Sequence, residues 1–170
     1  MFNQNKKIAL VLHQICDSRE SIKYFEDVEY DIFKNIVSLI KELEYKNKIT
    51  LTFDDGYISD YEIVFRDLLK NNILGSFFIV PKYIGKKNYL TWPMVREMSE
   101  HGMNIGSHSL SHKDLTKINA DELNIEINDS KKIIEDNIGK NINDFSFPFG
   151  KKDINSLNTV IRSGYENIYI

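Results

Sequence analysis

Two aspartates and two histidines carry the clearest chemical pattern in this sequence. Asp54 and Asp55 are adjacent and follow an apolar run, and His108 and His112 come further along the chain with three residues between them. One carboxylate and two imidazoles are a common ligand set for catalytic zinc, with a fourth position left for water. The other carboxylate is then available as a base. The pattern therefore indicates metal-assisted hydrolysis rather than metal storage.

The two aspartates can face one cavity only if their strand ends there, because neighbouring residues of a regular strand point to opposite faces. Gly56, the next residue, permits such a break in the strand. Two carboxylates this close repel each other, and a cation beside them relieves the repulsion. The alternative is a plain turn in which one aspartate caps a helix.

The spacing of the histidines also allows a shared ligand. If residues 108–112 form a helical turn, the two Cβ atoms lie about 5–6 Å apart, and both rings can reach one zinc at about 2.0–2.1 Å. The alternative is a pair of surface histidines at the start of a helix. The metal interpretation is favoured because Asp55, His108 and His112 fall at predicted strand ends in a chain with four histidines.

Short apolar runs alternate with helical patterns along the chain, which predicts a parallel sheet or barrel of βα units. The predicted strands are residues 7–12, 48–53, 75–80, 103–107, 145–147 and 166–170. The predicted helices are 31–43, 59–70, one between Thr91 and Gly102, one from Asn119 to Ile138, and 155–162. Chemistry in such folds gathers at the C-terminal strand ends. His13, both aspartates, His108 and the segment Pro148-Phe149-Gly150 all fall at or just beyond such ends.

Length and composition bound the class of protein. The chain has 170 residues, 42% hydrophobic residues and a net charge of −3, as expected for one globular domain spanning residues 1–170. The sequence contains no basic stripe, so nucleic-acid binding is not expected. Cys16 is the single cysteine, so no intrachain disulfide can form. No apolar run approaches a membrane helix or a signal-peptide core. A cytoplasmic location is expected, although a chain with its leader removed would look the same.

Several segments resemble the polysaccharide deacetylase family, also known as the NodB homology domain or carbohydrate esterase family 4. Thr-Phe-Asp-Asp-Gly at 52–56, His-Ser-x-x-His at 108–112 and Phe-Pro-Phe-Gly at 147–150 are similar to its first three motifs. Residues 75–80 and 92–106 resemble the segments between those motifs, and residues 8–13 resemble the first strand of the poly-N-acetylglucosamine deacetylase branch. The resemblance implies an α/β fold, a distorted (β/α) barrel. It also implies removal of acetyl groups from an N-acetylated sugar or polysaccharide.

The resemblance assigns roles to individual residues. It implies that Asp55, His108 and His112 bind the metal and that Asp54 is the general base. Zn²⁺ suits this ligand set, and Co²⁺ or Ni²⁺ fits similar ligands. The backbone N–H of Phe149, aimed by the fixed backbone of Pro148, would stabilise the oxyanion. The ring face of Trp92 would line the sugar site, unless Trp92 simply packs at the start of its helix.

Two departures from the family pattern leave alternatives open. Ser146 stands where many members have an arginine that orients the base, and the later motifs, including a histidine that is the usual general acid, have no counterpart. His13 is a candidate proton donor, although it could equally be structural. The barrel is expected to lack its last strand or strands, with an open edge that a second copy could cover. A degenerate member that binds metal or sugar without turnover, or an amidase acting on formamido sugars or other amides, would also fit.

Overall fold

A computed structural model describes residues 8–17, 27–43 and 49–170 of the chain. The predicted strand starts at Lys7 and Lys48 lie outside these ranges. Within them, the strands are β1 Ile8–Leu12, β2 Ile15–Cys16, β3 Val28–Glu29, β4 Ile49–Phe53, β5 Gly75–Ile79, β6 Asn104–Ser107, β7 Asp144–Ser146 and β8 Asn167–Tyr169. The helices are α1 Tyr30–Glu42, α2 Arg66–Lys70, α3 Trp92–Glu100, α4 Ala120–Asn124, α5 Ser130–Ile138 and α6 Ile154–Arg162.

Six of these strands form one parallel sheet in the order β1-β4-β5-β6-β7-β8, and β2 pairs with β3 beside it. The strands follow one another in the order of the chain, so each one pairs in parallel with the strand before it in the sheet after a crossover connection. The sheet curls into a half barrel. This confirms the predicted α/β class and distorted barrel, and within the described residues the sheet stays open between β1 and β8.

The helices cover the sheet through apolar stripes, as their sequence spacing predicts. In α1 the buried residues are Phe33, Val37 and Ile40, which recur every three or four positions. The helix predicted at 59–70 is π-helical over Asp60–Phe65 before it continues as α2. A second π-helical segment, Ile125–Asp129, joins α4 to α5. These wider turns rotate side chains out of the regular α-helical stripe.

The core lies between the sheet and its helices and includes large side chains from β4 and β5. All five residues of β5 are buried, as expected for a central parallel strand covered on both faces. The Phe53 and Phe77 rings stack with centroids 4.9 Å apart, and Phe33 of α1 meets Phe53 edge-on at 6.1 Å. This packing fixes the C-terminal end of β4, where the aspartates follow.

The first strand is the less protected edge of the sheet. Ile8, Leu10 and Val11 are 62%, 37% and 44% exposed. That a second copy covers such an edge stays a prediction. Among the described residues no helix has the length and apolar character needed to cross a membrane.

Candidate active site

The chain leaves β4 through a sharp turn that brings both aspartates to one side. The backbone N–H of Asp54 still donates to the carbonyl of Leu12 at 3.1 Å, as a strand residue would. Asp55 and Gly56 then adopt left-handed backbone, with φ of 75° and 74°. Aspartate tolerates this conformation better than most residues but still pays a cost of order 1 kcal/mol. The predicted break in the strand is therefore present, and both carboxyl groups face the same cavity.

The two histidines reach that cavity by a different route from the predicted helical turn. His108 follows the last residue of β6 and is 2% exposed. The helical-turn expectation for residues 108–112 is wrong: Ser109 and His112 have φ of 62° and 60°, which no right-handed helix contains. The left-handed residues fold the segment back on itself, and the two imidazole centroids come within 4.9 Å. The alternative of two surface histidines is excluded for His108.

Asp55, His108 and His112 converge on one point. Oδ1 of Asp55 lies 3.3 Å from Nε2 of His112 and 3.8 Å from Nε2 of His108. One ligand atom from each residue can be chosen so that all three lie within 4.8 Å of one another. Oδ1 of Asp55 is buried and has no hydrogen-bond partner. An orphaned carboxylate oxygen facing two imidazole nitrogens is the donor set that a divalent ion such as zinc prefers, so the residues fit a metal.

A hydrogen bond on its far side orients the ring of His108. Its Nδ1 lies 2.8 Å from the carbonyl oxygen of Ser146. A carbonyl oxygen only accepts, so Nδ1 carries the hydrogen and Nε2 presents its lone pair to Asp55. Burial lowers the pKa of His108 to about 4, against the opposing effect of the Asp55 charge. The ring is therefore held in the neutral form that a metal ligand requires.

Asp54 lies beside this group, with its Oδ2 3.7 Å from Nε2 of His108, but the three side chains whose ligand atoms all converge are Asp55, His108 and His112. Oδ2 of Asp54 accepts a hydrogen bond from the Ser146 hydroxyl at 3.0 Å, and Oδ1 of Asp54 is buried without a partner. Burial raises the pKa of Asp54 to about 6, while His13, the Ser146 hydrogen bond and His112 act in the opposite direction. A carboxyl group with one free oxygen and a pKa near neutrality suits a general base.

A cavity of about 320 Å³ opens over these groups. It is lined by Val11, His13, Asp54, Asp55, His108, His112, Ser146, Phe147, Phe149, Gly150, Tyr169 and Ile170. Residues at both edges of the sheet, near β1 and β8, thus border one opening. His13, which follows β1, lies at this rim, as its position at a strand end predicts.

The turn after β7 supplies the other wall. Pro148 is buried, and Phe149 follows it with φ of 60°. The Phe149 ring is 61% exposed and meets the His112 ring edge-on at 4.5 Å. Trp92 lies elsewhere: it begins α3, packs half-buried against the hydrophobic core and is not among the residues that line this cavity.

Two buried carboxyl groups near the site were missed from the sequence. Glu126 is 2% exposed and accepts hydrogen bonds from Ser111, and Asp60 is fully buried with neither oxygen paired. Each sits in a π-helical segment. The signal that could have found Glu126 is a single acid next to the buried stripe of Leu123 and Ile127.

Residues 41–168 match the family model for polysaccharide deacetylase. The chain therefore belongs to the polysaccharide deacetylase family.

Curated relatives and solved structures agree with this assignment. The chain is 30% identical over 118 residues to YxkH of Bacillus subtilis, covering 69% of this chain and 42% of that protein. It is 31% identical over 123 residues to the peptidoglycan-N-acetylmuramic acid deacetylase PdaA of the same organism, covering 71% and 45%. The chain therefore aligns with under half the length of each of these relatives.

The fold matches two solved structures over nearly the whole chain. The Streptococcus pyogenes deacetylase PplD, in complex with acetate, superimposes with a TM-score of 0.85 at 23% identity, covering 94% of this chain and 81% of that one. A polysaccharide deacetylase from Bacillus cereus gives 0.85 at 22% identity, covering 96% and 57%. At these identities the matches establish the fold.

Proposed function

We propose that this chain is a metal-dependent hydrolase that removes acetyl groups from an N-acetylated sugar or glycan. The observation that carries the proposal is the convergence of Asp55, His108 and His112 within 4.8 Å beside Asp54, which stays outside the ligand set. Zinc is the preferred ion for one carboxylate and two imidazoles, and cobalt or nickel would fit the same atoms.

Each residue of the site has a separate role in the proposed hydrolysis. A divalent ion in the site would acidify water and polarise the acetyl carbonyl. Asp54 accepts the proton of the attacking water. The backbone N–H of Phe149 donates to the oxygen that becomes negative as the carbonyl is attacked. The turn at Pro148 and the left-handed backbone of Phe149 fix the direction of that N–H.

Release of the sugar amine requires a proton donor. His13 is our candidate, because it lines the cavity and interacts electrostatically with Asp54, whose pKa it lowers. Trp92 packs against the hydrophobic core and is not among the residues that line the cavity, so we assign it no contact with the reacting atoms.

The direct test is acetate release by the purified chain, with zinc, cobalt or nickel, from chitooligosaccharides and from peptidoglycan. The name of PdaA motivates peptidoglycan, and chitooligosaccharides are simple N-acetylated glycans. We expect metal-dependent acetate release, and Asp54→Asn should reduce it at least about 100-fold while leaving the bound metal in place. Full activity of Asp54→Asn would overturn the base assignment.

Two other outcomes identify the rival functions. If the chain binds zinc but releases no acetate from any glycan, it is a non-catalytic member of the family. Release of formate from N-formylated sugars, without acetate release, would identify a hydrolase of another sugar amide.

A further inference from the structure

We propose that the hydroxyl of Ser146 is the positioning group for Asp54, fixing the orientation of its carboxyl group beside His108. This inference rests on the proposed function for its catalytic meaning. The contact itself is a property of the fold and can be tested without turnover.

The two oxygens of Asp54 differ in their surroundings. Oδ2 lies 3.0 Å from the Ser146 hydroxyl, whereas Oδ1 is buried with no hydrogen-bond partner. The terminal torsion of an aspartate is broad and roughly two-fold, so an unanchored carboxyl group turns easily. A hydroxyl donor on one oxygen removes that freedom. It also sets which oxygen faces the histidines, since Oδ2 lies 3.7 Å from Nε2 of His108.

Ser146 is itself rigidly placed. It is 5% exposed and is the last residue of β7, where it lies opposite Tyr169 of β8. The next residue, Phe147, donates its N–H to the carbonyl of Tyr169 at 3.0 Å. The hydroxyl therefore projects from a strand end fixed by its neighbours and not from a mobile loop.

The backbone and the side chain of Ser146 serve different residues. Its carbonyl oxygen accepts the Nδ1 hydrogen of His108 at 2.8 Å, and its hydroxyl donates to Asp54. A substitution that removes the hydroxyl leaves the carbonyl in place. The effect on the base can therefore be separated from the effect on the metal ligand.

Ser146→Ala and Ser146→Thr test the proposal, with Ser99→Ala as a matched control because Ser99 is also buried but lies on α3, outside the cavity. We expect Ser146→Ala to bind zinc with parent affinity and to keep KM within about twofold. Its kcat should fall about 10- to 100-fold, the loss typical of a hydrogen bond to a charged group. Ser146→Thr, which restores a hydroxyl, should recover most of kcat, and Ser99→Ala should match the parent.

Parent kcat in Ser146→Ala would overturn the proposal. A parallel loss of zinc affinity would also overturn it, since that points to a structural role. A crystal structure of zinc-loaded Ser146→Ala gives a readout that does not need activity: the Asp54 carboxyl group should rotate or adopt two orientations. If it keeps the parent orientation, the positioning role is wrong, even where the parent shows no deacetylase activity and the proposed function has failed.

Discussion

The carboxylate of Glu126 accepts two hydrogen bonds from Ser111, the residue that directly precedes His112. The backbone N–H of Ser111 lies 2.9 Å from Oε2 and its hydroxyl lies 2.5 Å from Oε1. The carbonyl of Glu126 also accepts the N–H of Leu110 at 2.9 Å. One buried residue of the π-helical segment therefore holds the folded-back loop that carries His112. Within the described residues no ion pair involves this carboxylate, and the two Ser111 donors stabilise it.

Glu126→Gln should weaken metal binding while the protein still folds. The amide oxygen can still accept the Ser111 N–H, and the amide NH₂ group can donate to the Ser111 hydroxyl. Both hydrogen bonds to a charged carboxylate are then replaced by weaker neutral ones, which loosens the loop. Loss of a group that orients a metal ligand typically lowers affinity about 10- to 100-fold. Zinc titration by calorimetry measures this. Glu122→Gln, the same change at a half-exposed carboxylate on α4, should bind zinc as the parent does, and unchanged affinity in Glu126→Gln would contradict the anchoring role.

Zinc should stabilise the folded chain, because only the folded state gathers Asp55, His108 and His112. At a free zinc concentration about 100 times Kd the gain is about 2.7 kcal/mol, which corresponds to a rise in Tm of roughly 5–10 °C for a chain of this size. Differential scanning fluorimetry with and without zinc measures the rise. His112→Ala should abolish it, whereas His101→Ala, at an exposed helix end, should retain it. A parent protein whose Tm does not respond to zinc, cobalt or nickel would contradict the metal site.

The strand ends were predictable from the sequence, and the path of the chain after them was not. The alternation of Ile49, Leu51 and Phe53 predicted β4 and its end at Phe53. The end of β6 at Ser107 was predicted just before His108. The left-handed residues Ser109 and His112 could not be foreseen, because neither is glycine and their backbone is set by anchors such as Glu126. The spacing of His108 and His112 suits a helical turn, but the hydrogen bonds that Glu126 accepts from Leu110 and Ser111 hold the segment in another conformation.

The metal-ligand set could be proposed from residue type, placement at strand ends and the family resemblance, but the residues that orient it could not. The contact between Ser146 and Asp54 joins residues 92 positions apart, and it depends on the parallel register that sets β7 beside β6. Serine and glutamate are common on protein surfaces, so nothing in their type marks them. The π-helical turns that bury Asp60 and Glu126 likewise leave no clear signature in hydrophobic spacing.

Asp60→Asn should stabilise the metal-free protein increasingly as the pH rises. The Asp60 carboxyl group is fully buried, and burial together with the negative charges of Asp55 and Asp54 raises its pKa well above the ordinary value. The folded state thus keeps a proton that the unfolded state releases near pH 4. The contribution of Asp60 is fully present below that pH and is lost as the pH rises, by up to about 1.4 kcal/mol for each pH unit.

Asparagine cannot titrate, so the difference in unfolding free energy between Asp60→Asn and the parent should be larger at pH 8 than at pH 5. Urea unfolding at both pH values, in the presence of a chelator, measures it. Asp129→Asn makes the same change at an exposed position and is the matched control for the substitution itself. A difference for Asp60→Asn that stays constant with pH would mean that Asp60 is paired or solvated in solution.

Gly106→Ala should destabilise the fold and weaken metal binding together. A Cβ at this position would lie 2.6 Å from the Phe78 ring and 2.8 Å from the carbonyl oxygen of Asp144. Overpacking of this kind costs about 1–3 kcal/mol, a fall in Tm of roughly 2–12 °C. The second clash falls on β7, which pairs with β6 through Ser107 and Phe145.

That pairing brings the Ser146 carbonyl to His108, so spreading the two strands should lengthen the hydrogen bond that fixes the tautomer and lower zinc affinity. Gly164→Ala is the control. Its φ of +78° imposes backbone strain, but a Cβ there meets no atom within 4 Å, so Tm should fall while zinc affinity holds. Equal loss of zinc affinity in both variants would show that global destabilisation, and not the β6–β7 contact, governs the metal site.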